Sequence, residues 1–281
     1  MVHMSLLDAE GTVYWTGFVA SFLACAVWES FAPRGELSTP AGRRWLNHGV
    51  MLVLGGALSA VVFRLGPVAL ALLVSGSRFG LLNRPWAPLV LRCAITVLLL
   101  DLVQYAIHRS MHRFPLLWRI HLVHHSDQDV DVSTSARHHP LEVVYTQAIR
   151  LGAVALLAPP AAGVFCAELL GLILDLWTHS NASLPAPADR ALRLLFITPD
   201  LHRIHHSRDA AEQQENLGQM FPWWDRMFAS YAAKPLAKSS EFVAGIAGLE
   251  GQDSVGLGFM LAEPFQRLAA SPDLSGNSPL A

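Results

Sequence analysis

The sequence predicts an all-α, multi-pass integral membrane protein with a cytoplasmic, histidine-rich helical cap holding a dinuclear metal site. Three observations predict it. The composition is 52% hydrophobic and only 15% charged, well short of the ~25% charge usual in a soluble domain. Apolar runs recur that are long enough for a bilayer core of about 30 Å. Of 13 histidines, all but His3 and His48 lie between positions 108 and 206. A net charge of -2 excludes the basic field that a nucleic-acid partner requires.

The first apolar run, Val13 to Phe31, is stopped by Ala32-Pro33-Arg34. The residues before it include Asp8 and Glu10 but no Lys or Arg, so an uncleaved helix is expected rather than a signal peptide. Arg34, Arg43 and Arg44 follow, which places that loop on the cytoplasmic side by the positive-inside rule. A second stretch, Val50 to Val74, is interrupted by Arg64 and Gly66-Pro67 and reads as one spanning helix plus a short kinked piece. After a loop carrying Arg78 and Arg84, a third run extends from Trp86 to Ile107, with Arg92 snorkelling near one end. The stretch from Tyr145 to Trp177 is broken at Ala158-Pro159-Pro160 and forms a helical hairpin. A hairpin returns the chain to the face it left, so all histidine groups from His108 onward share one face. Leu257 to Leu268 is expected to form a short amphipathic helix. Ala270 to Ala281, rich in Ser, Pro and Gly, is expected to be a disordered tail. Cys25, Cys93 and Cys166 sit singly in apolar runs and serve as small hydrophobes. The chain divides into N-terminal transmembrane helices (1–100), the histidine-bearing part with hairpin 145–177 (101–231), and a C-terminal segment (232–281).

His108 and His112 end the third helix at i,i+4 spacing, on one helical face. Asp101 and Tyr105 precede His108 on that face, and Asp101 is a candidate to orient a ligand or to bond a helix neighbour. His121, His124 and His125 follow at i, i+3 and i+4, and the pattern recurs as His202, His205 and His206. His139 is favoured as a ligand, with His138 behind it; His179 is either a ligand or a support for one, with Asn181 close by in sequence. Imidazole nitrogen suits Zn, Cu, Fe or Ni and disfavours Mg and Ca. Eight to ten ligands exceed the needs of one ion, so two metals are implied. There is no cysteine cluster, no HExxH and no Glu-x-x-His pair, which argues against structural zinc, zinc proteases and ferritin-like sites.

The arrangement of HxxxH, HxxHH and HxxHH around hydrophobic helices resembles the fatty acid hydroxylase/sterol desaturase superfamily of membrane di-iron, histidine-box oxidoreductases. The similarity extends to Leu117-Trp118-Arg119, Ser135-Ala136-Arg137-His138-His139-Pro140, Thr198-Pro199-Asp200 and Trp224-Asp225-Arg226. The resemblance covers Asp101 to Tyr231, and bacterial members are the nearest in pattern. It departs at Leu217, where Tyr is common, and at Phe228-Ala229-Ser230-Tyr231, where Phe-Gly-Thr-Tyr is common. It implies a bacterial-type inner membrane and two Fe ions with O2 as co-substrate. The implied reaction is hydroxylation or desaturation of a lipid (fatty acyl, sterol-like or related). With no haem, flavin or iron–sulfur motif in the chain, an external electron donor, ferredoxin-type or reductase, is implied as well. Two alternatives use the same histidine cage: a metal-dependent lipid hydrolase and a membrane metal-binding or transport protein. A catalytic zinc usually takes only three protein ligands, and transporters place ligands near mid-membrane in repeated halves.

Overall fold

The computed structural model describes residues 2–77, 79–236 and 242–266, with side chains from residue 9 onward. Helix α1 (Val2–Phe31) ends where Pro33 follows, and α2 (Ala41–Phe63) begins directly after Pro40. Arg64 adopts a left-handed φ of 57° at the end of α2, and the short α3 (Pro67–Val74) starts with proline as its first residue. Helix α4 (Leu89–Arg113) carries the HxxxH pair in its last turns, and Pro115 then opens α5 (Pro115–His125), the first HxxHH helix. The hairpin is α6 (Pro140–Leu157) and α7 (Ala161–His179), and Ala158-Pro159-Pro160 makes the expected break. Short helices α8 (Ala186–Leu192), α9 (Pro199–His205), α10 (Trp223–Met227) and α11 (Leu257–Ala262) complete the cap. The expected C-terminal helix is shorter than its apolar pattern, passing into a 3-10 turn at Glu263–Phe265. The expected tail lies outside the described residues.

Among the described residues, five segments are long and apolar enough to cross a membrane: Ala9–Phe31, Ala41–Val74, Leu89–Arg113, Pro140–Leu157 and Ala161–His179. Their outward side chains, such as Val27, Val53, Val61, Val90 and Leu156, are exposed large hydrophobics, as lipid-facing positions should be. Helices α4 and α7 are the most buried of the five and pack on each other, with α1 against α7 and α2 against α6. Small residues set these approaches. A Cβ on Gly163 would lie 2.9 Å from Thr96 Cβ and 3.0 Å from Cys93 Cα, and one on Gly55 would lie 2.7 Å from Val143 Cγ2.

At the histidine end, polar bonds replace apolar packing. Arg44 of α2, wholly buried, makes a bidentate pair with Asp127 at 2.7 and 2.8 Å and bonds Asp131 at 3.0 Å. Asp129 accepts from the backbone of Ser38 and Thr39, and Glu29 accepts from the amides of Val132 and Asn181. The first two helices are thereby tied to the segment between α5 and α6.

Candidate metal centre

The α-helical spacings in the sequence place the histidines, but each triplet divides its side chains. On α5, His121 and His125, one turn apart, point to one position while His124 points to another. On α9 the assignment is reversed: His205 joins the first position, and His202 and the adjoining His206 join the second. The C-terminal end of α4 adds His108 and His112 to the first, and that of α7 adds His179 to the second. The result is a group of five imidazoles and a group of four, each offering nitrogens within 4.8 Å of one another. All but His108 are buried.

Tautomers follow from the outer hydrogen bonds. His108 Nδ1 donates to the Leu217 carbonyl at 2.8 Å, His205 Nδ1 to Glu215 at 2.9 Å and His179 Nδ1 to Asp175 at 2.8 Å. His121 Nδ1 donates to Glu142 Oε1 at 2.7 Å. A proton on Nδ1 leaves the lone pair on Nε2. Yet His108 Nε2 lies 3.1 Å from both His121 Nε2 and His205 Nε2. In the second group, His179 Nε2 lies 3.1 Å from His124 Nε2 and 3.0 Å from His202 Nε2. Lone pairs facing each other this closely repel unless a cation lies between them. Two nitrogens about 2.1 Å from one ion and at right angles would lie about 3.0 Å apart. Both nitrogens of His112 and His125 are buried without a protein partner, a costly condition that ligation relieves at one nitrogen of each ring. The donor set fits two metal ions.

Electrostatics agree. His124, His125, His202, His205 and His206 are held well below the ordinary imidazole value, by burial first and then by neighbouring imidazoles. They are neutral, the form that ligates. Burial alone would also lower His138, but the Glu142 carboxylate overrides it and raises the value.

Of the ten expected ligands, His139 is not brought to either group. Its Nδ1 accepts from the Leu141 amide at 3.2 Å, capping α6, and its ring packs against Phe265. His138 lies nearer: its ring stacks on His124 with centroids 4.6 Å apart, and it shares Glu142 Oε1 with His121. Among the described residues, Asp101 hydrogen-bonds no histidine. It accepts from the Met220 amide at 3.1 Å and Trp224 Nε1 at 2.8 Å, fixing the loop whose Leu217 carbonyl orients His108. Asn181 bonds Gly35 in both directions, away from the groups. The Leu217 position works through its backbone, which explains why an apolar side chain suffices there. Asp225 accepts from the amides of Leu217 and Gly218 and is raised to about 6, mainly by burial.

A buried brace lies behind α5. Arg137, wholly buried, donates to the Val123 carbonyl, Ser126 Oγ and the Ser254 carbonyl, and its Nη1 lies 3.0 Å from His48 Nε2. Burial lowers its value to about 10 despite Asp127. His48, which lies outside the histidine-rich stretch of the sequence, is buried in this network and also meets Ser133 Oγ. The acidic run after His125 was the available signal, since Asp127, Asp129 and Asp131 need cations or amides to be buried.

Fold and donor set together define a membrane protein whose buried imidazole groups are able to hold metal. Residues 93–230, just under half of the chain, match the model of the fatty acid hydroxylase family. It is 28% identical over 181 residues to an ornithine lipid hydroxylase of Rhizobium tropici, covering 64% of this chain and 52% of that relative. It is 30% identical over 158 residues to human (Homo sapiens) alkylglycerol monooxygenase, covering 56% of this chain and 34% of the relative. The Danio rerio alkylglycerol monooxygenase is 32% identical over 133 residues, covering 47% and 28%. The chain thus spans about half the length of the bacterial relative and about a third of the vertebrate ones. No solved structure matches it.

Proposed function

We propose that this chain is a membrane-bound, non-haem di-iron oxidoreductase that uses O2 to oxidise a C–H bond of a lipid. Hydroxylation is preferred over desaturation because the relatives above are named as hydroxylase and monooxygenases. One observation carries the reading. A cavity of about 280 Å³ runs between the membrane-spanning helices and ends on His108, His121, His124, His179 and His202. Lipid and metal donors therefore meet without the lipid leaving the bundle.

Iron held by the two imidazole groups would supply the activation of O2. The chain's own part is positional. Glu142 and the carbonyls of Leu217, Glu215 and Asp175 hold four imidazoles with Nε2 inward. Leu52, Met111 and Leu172 wall the cavity beside the histidines, which keeps water from a reactive centre. Two electrons per turnover come from an external donor, ferredoxin-type or reductase. Arg34 and Arg43, on the same face as the histidine cap, support a cytoplasmic placement in a bacterial-type inner membrane.

Protein purified without oxygen is expected to hold about two irons per chain that are magnetically coupled in Mössbauer spectra. With a chemical reductant and O2 it should add one oxygen atom to a lipid in a membrane extract, read by mass spectrometry. About one zinc and no coupled iron would overturn the proposal.

A further inference from the structure

The end of the cavity remote from the histidines carries charge that metal binding does not require. Arg150 of α6 and Glu168 of α7 form an ion pair within the spanning bundle, and Arg150 Nη1 donates to Gln104 Oε1 of α4 at 3.3 Å. All three side chains line the cavity. A charged pair at membrane depth is costly and is usually kept for function. This one is not sealed between helices either, because its side chains remain 16% and 19% exposed. Arg150 lies eight residues along α6 from Glu142, and Glu168 eleven residues along α7 from His179. At 1.5 Å per residue these are about 12 and 16 Å. Thr146, Gln147 and Asp175 line the interval, while Trp15, Phe18 and Leu172 supply apolar wall. A bare hydrocarbon chain has no use for such a polar stripe.

We infer that the cavity takes a lipid whose chain bears an uncharged hydrogen-bonding group, a hydroxyl, ether or amide, held by Arg150, Glu168 and Gln104. That group then sets which carbon reaches the histidines. The inference rests on the proposed lipid oxidation and names its substrate class. Arginine brings donors beyond the two already used, and the carboxylate brings acceptors. Together they are neutral. A head with net negative charge would therefore be left unbalanced in a low-dielectric bundle that also holds Asp175, whereas an uncharged one adds bonds without adding charge.

Binding read without turnover tests this. Full-length, metal-loaded protein in detergent micelles, kept anaerobic, would be titrated with hexadecylglycerol, hexadecane and palmitate. The parent is expected to bind hexadecylglycerol at least about tenfold more tightly than hexadecane, the equivalent of one or two net hydrogen bonds. The double variant Arg150→Met/Glu168→Met removes both charges together, so no orphan charge is left to unfold it. Its ratio should fall to about one with metal content retained, and Gln104→Leu should lower the ratio partway. Where turnover is measurable, the double variant should scatter the position of the inserted oxygen. A ratio near one in the parent, a ratio unchanged in the double variant, or palmitate as the tightest ligand would each overturn the inference. Selective binding with no lipid oxidation by the parent would instead count against the proposed reaction and leave the cavity assignment standing.

Discussion

His206→Ala is expected to abolish lipid oxidation and to remove the metal held by the four-histidine group, leaving about one iron per chain. The unequal donor counts make this sharper than a general loss. His124, His179, His202 and His206 are four, so one deletion leaves three. Deletion of His112 from the group of five leaves four, enough for a tetrahedral ion. His112→Ala should therefore keep more metal than His206→Ala, although both lose activity. Removing partners outside the ligands already costs about 10–100-fold in affinity or activity, so losing a ligand should drop the rate below about a hundredth of the parent. His139→Ala is the contrasting variant. Its imidazole caps α6 through the Leu141 amide, so the expected cost is about 1 kcal/mol of stability with both metals retained. Metal content by mass spectrometry, read beside product formation, distinguishes these outcomes. Equal metal loss from His112→Ala and His206→Ala would contradict the two-group assignment, and loss of iron from His139→Ala would restore it as a ligand.

How far the sequence was legible varies with the range of the interaction involved. The spanning helices and the break at Pro159-Pro160 follow from local rules of hydropathy and proline, and they stand where expected. The histidine spacings were legible as helical faces. That each triplet straddles two metal positions was not, because i, i+3 and i+4 side chains converge only loosely, and the partner helix decides where each points. The pattern favours His139 over His138, whereas the structure brings His138 nearer the two groups. The proline after His139 starts α6 and turns that imidazole into its cap, whereas His138 meets Glu142, one helical turn on. The Leu217 and Glu215 carbonyls orient ligands through backbone, which carries no residue signature. Asp101 stands out in the sequence as an acid in an apolar helix. Its partners Met220 and Trp224 lie more than a hundred residues away, beyond any local reading.

Arg44→Met is expected to destabilise the fold by about 3–5 kcal/mol, the usual cost of breaking a buried pair from one side. Asp127 and Asp131 are fully buried and would both lose the guanidinium that bonds them. The effect should reach the metals, because the same segment carries His124 and His125 on one side and Arg137 on the other. Expression, thermal midpoint and iron content should fall together. In the triple variant Arg44→Met/Asp127→Asn/Asp131→Asn neither carboxylate is left without its guanidinium, Arg137 keeps its hydrogen bonds while losing Asp127 and Asp131 as neighbouring charges, and asparagine keeps the cap at position 131 that Asp131 now provides. Most of the midpoint should return. The pH dependence gives an independent check with a definite sign. Burial alone would raise Asp127, but Arg44 outweighs it and holds the carboxyl far below the ordinary carboxylate range. Its folded value is thus depressed relative to the unfolded chain. That contribution is fully present above the ordinary carboxylate value of about 3.9 and is lost as pH falls below it. The parent's midpoint should therefore fall increasingly as pH drops below about 4, and the triple variant's less so, since it lacks the Asp127 carboxyl. Equal slopes in the two proteins would show that acid unfolding begins elsewhere and that the Arg44 network does not control it.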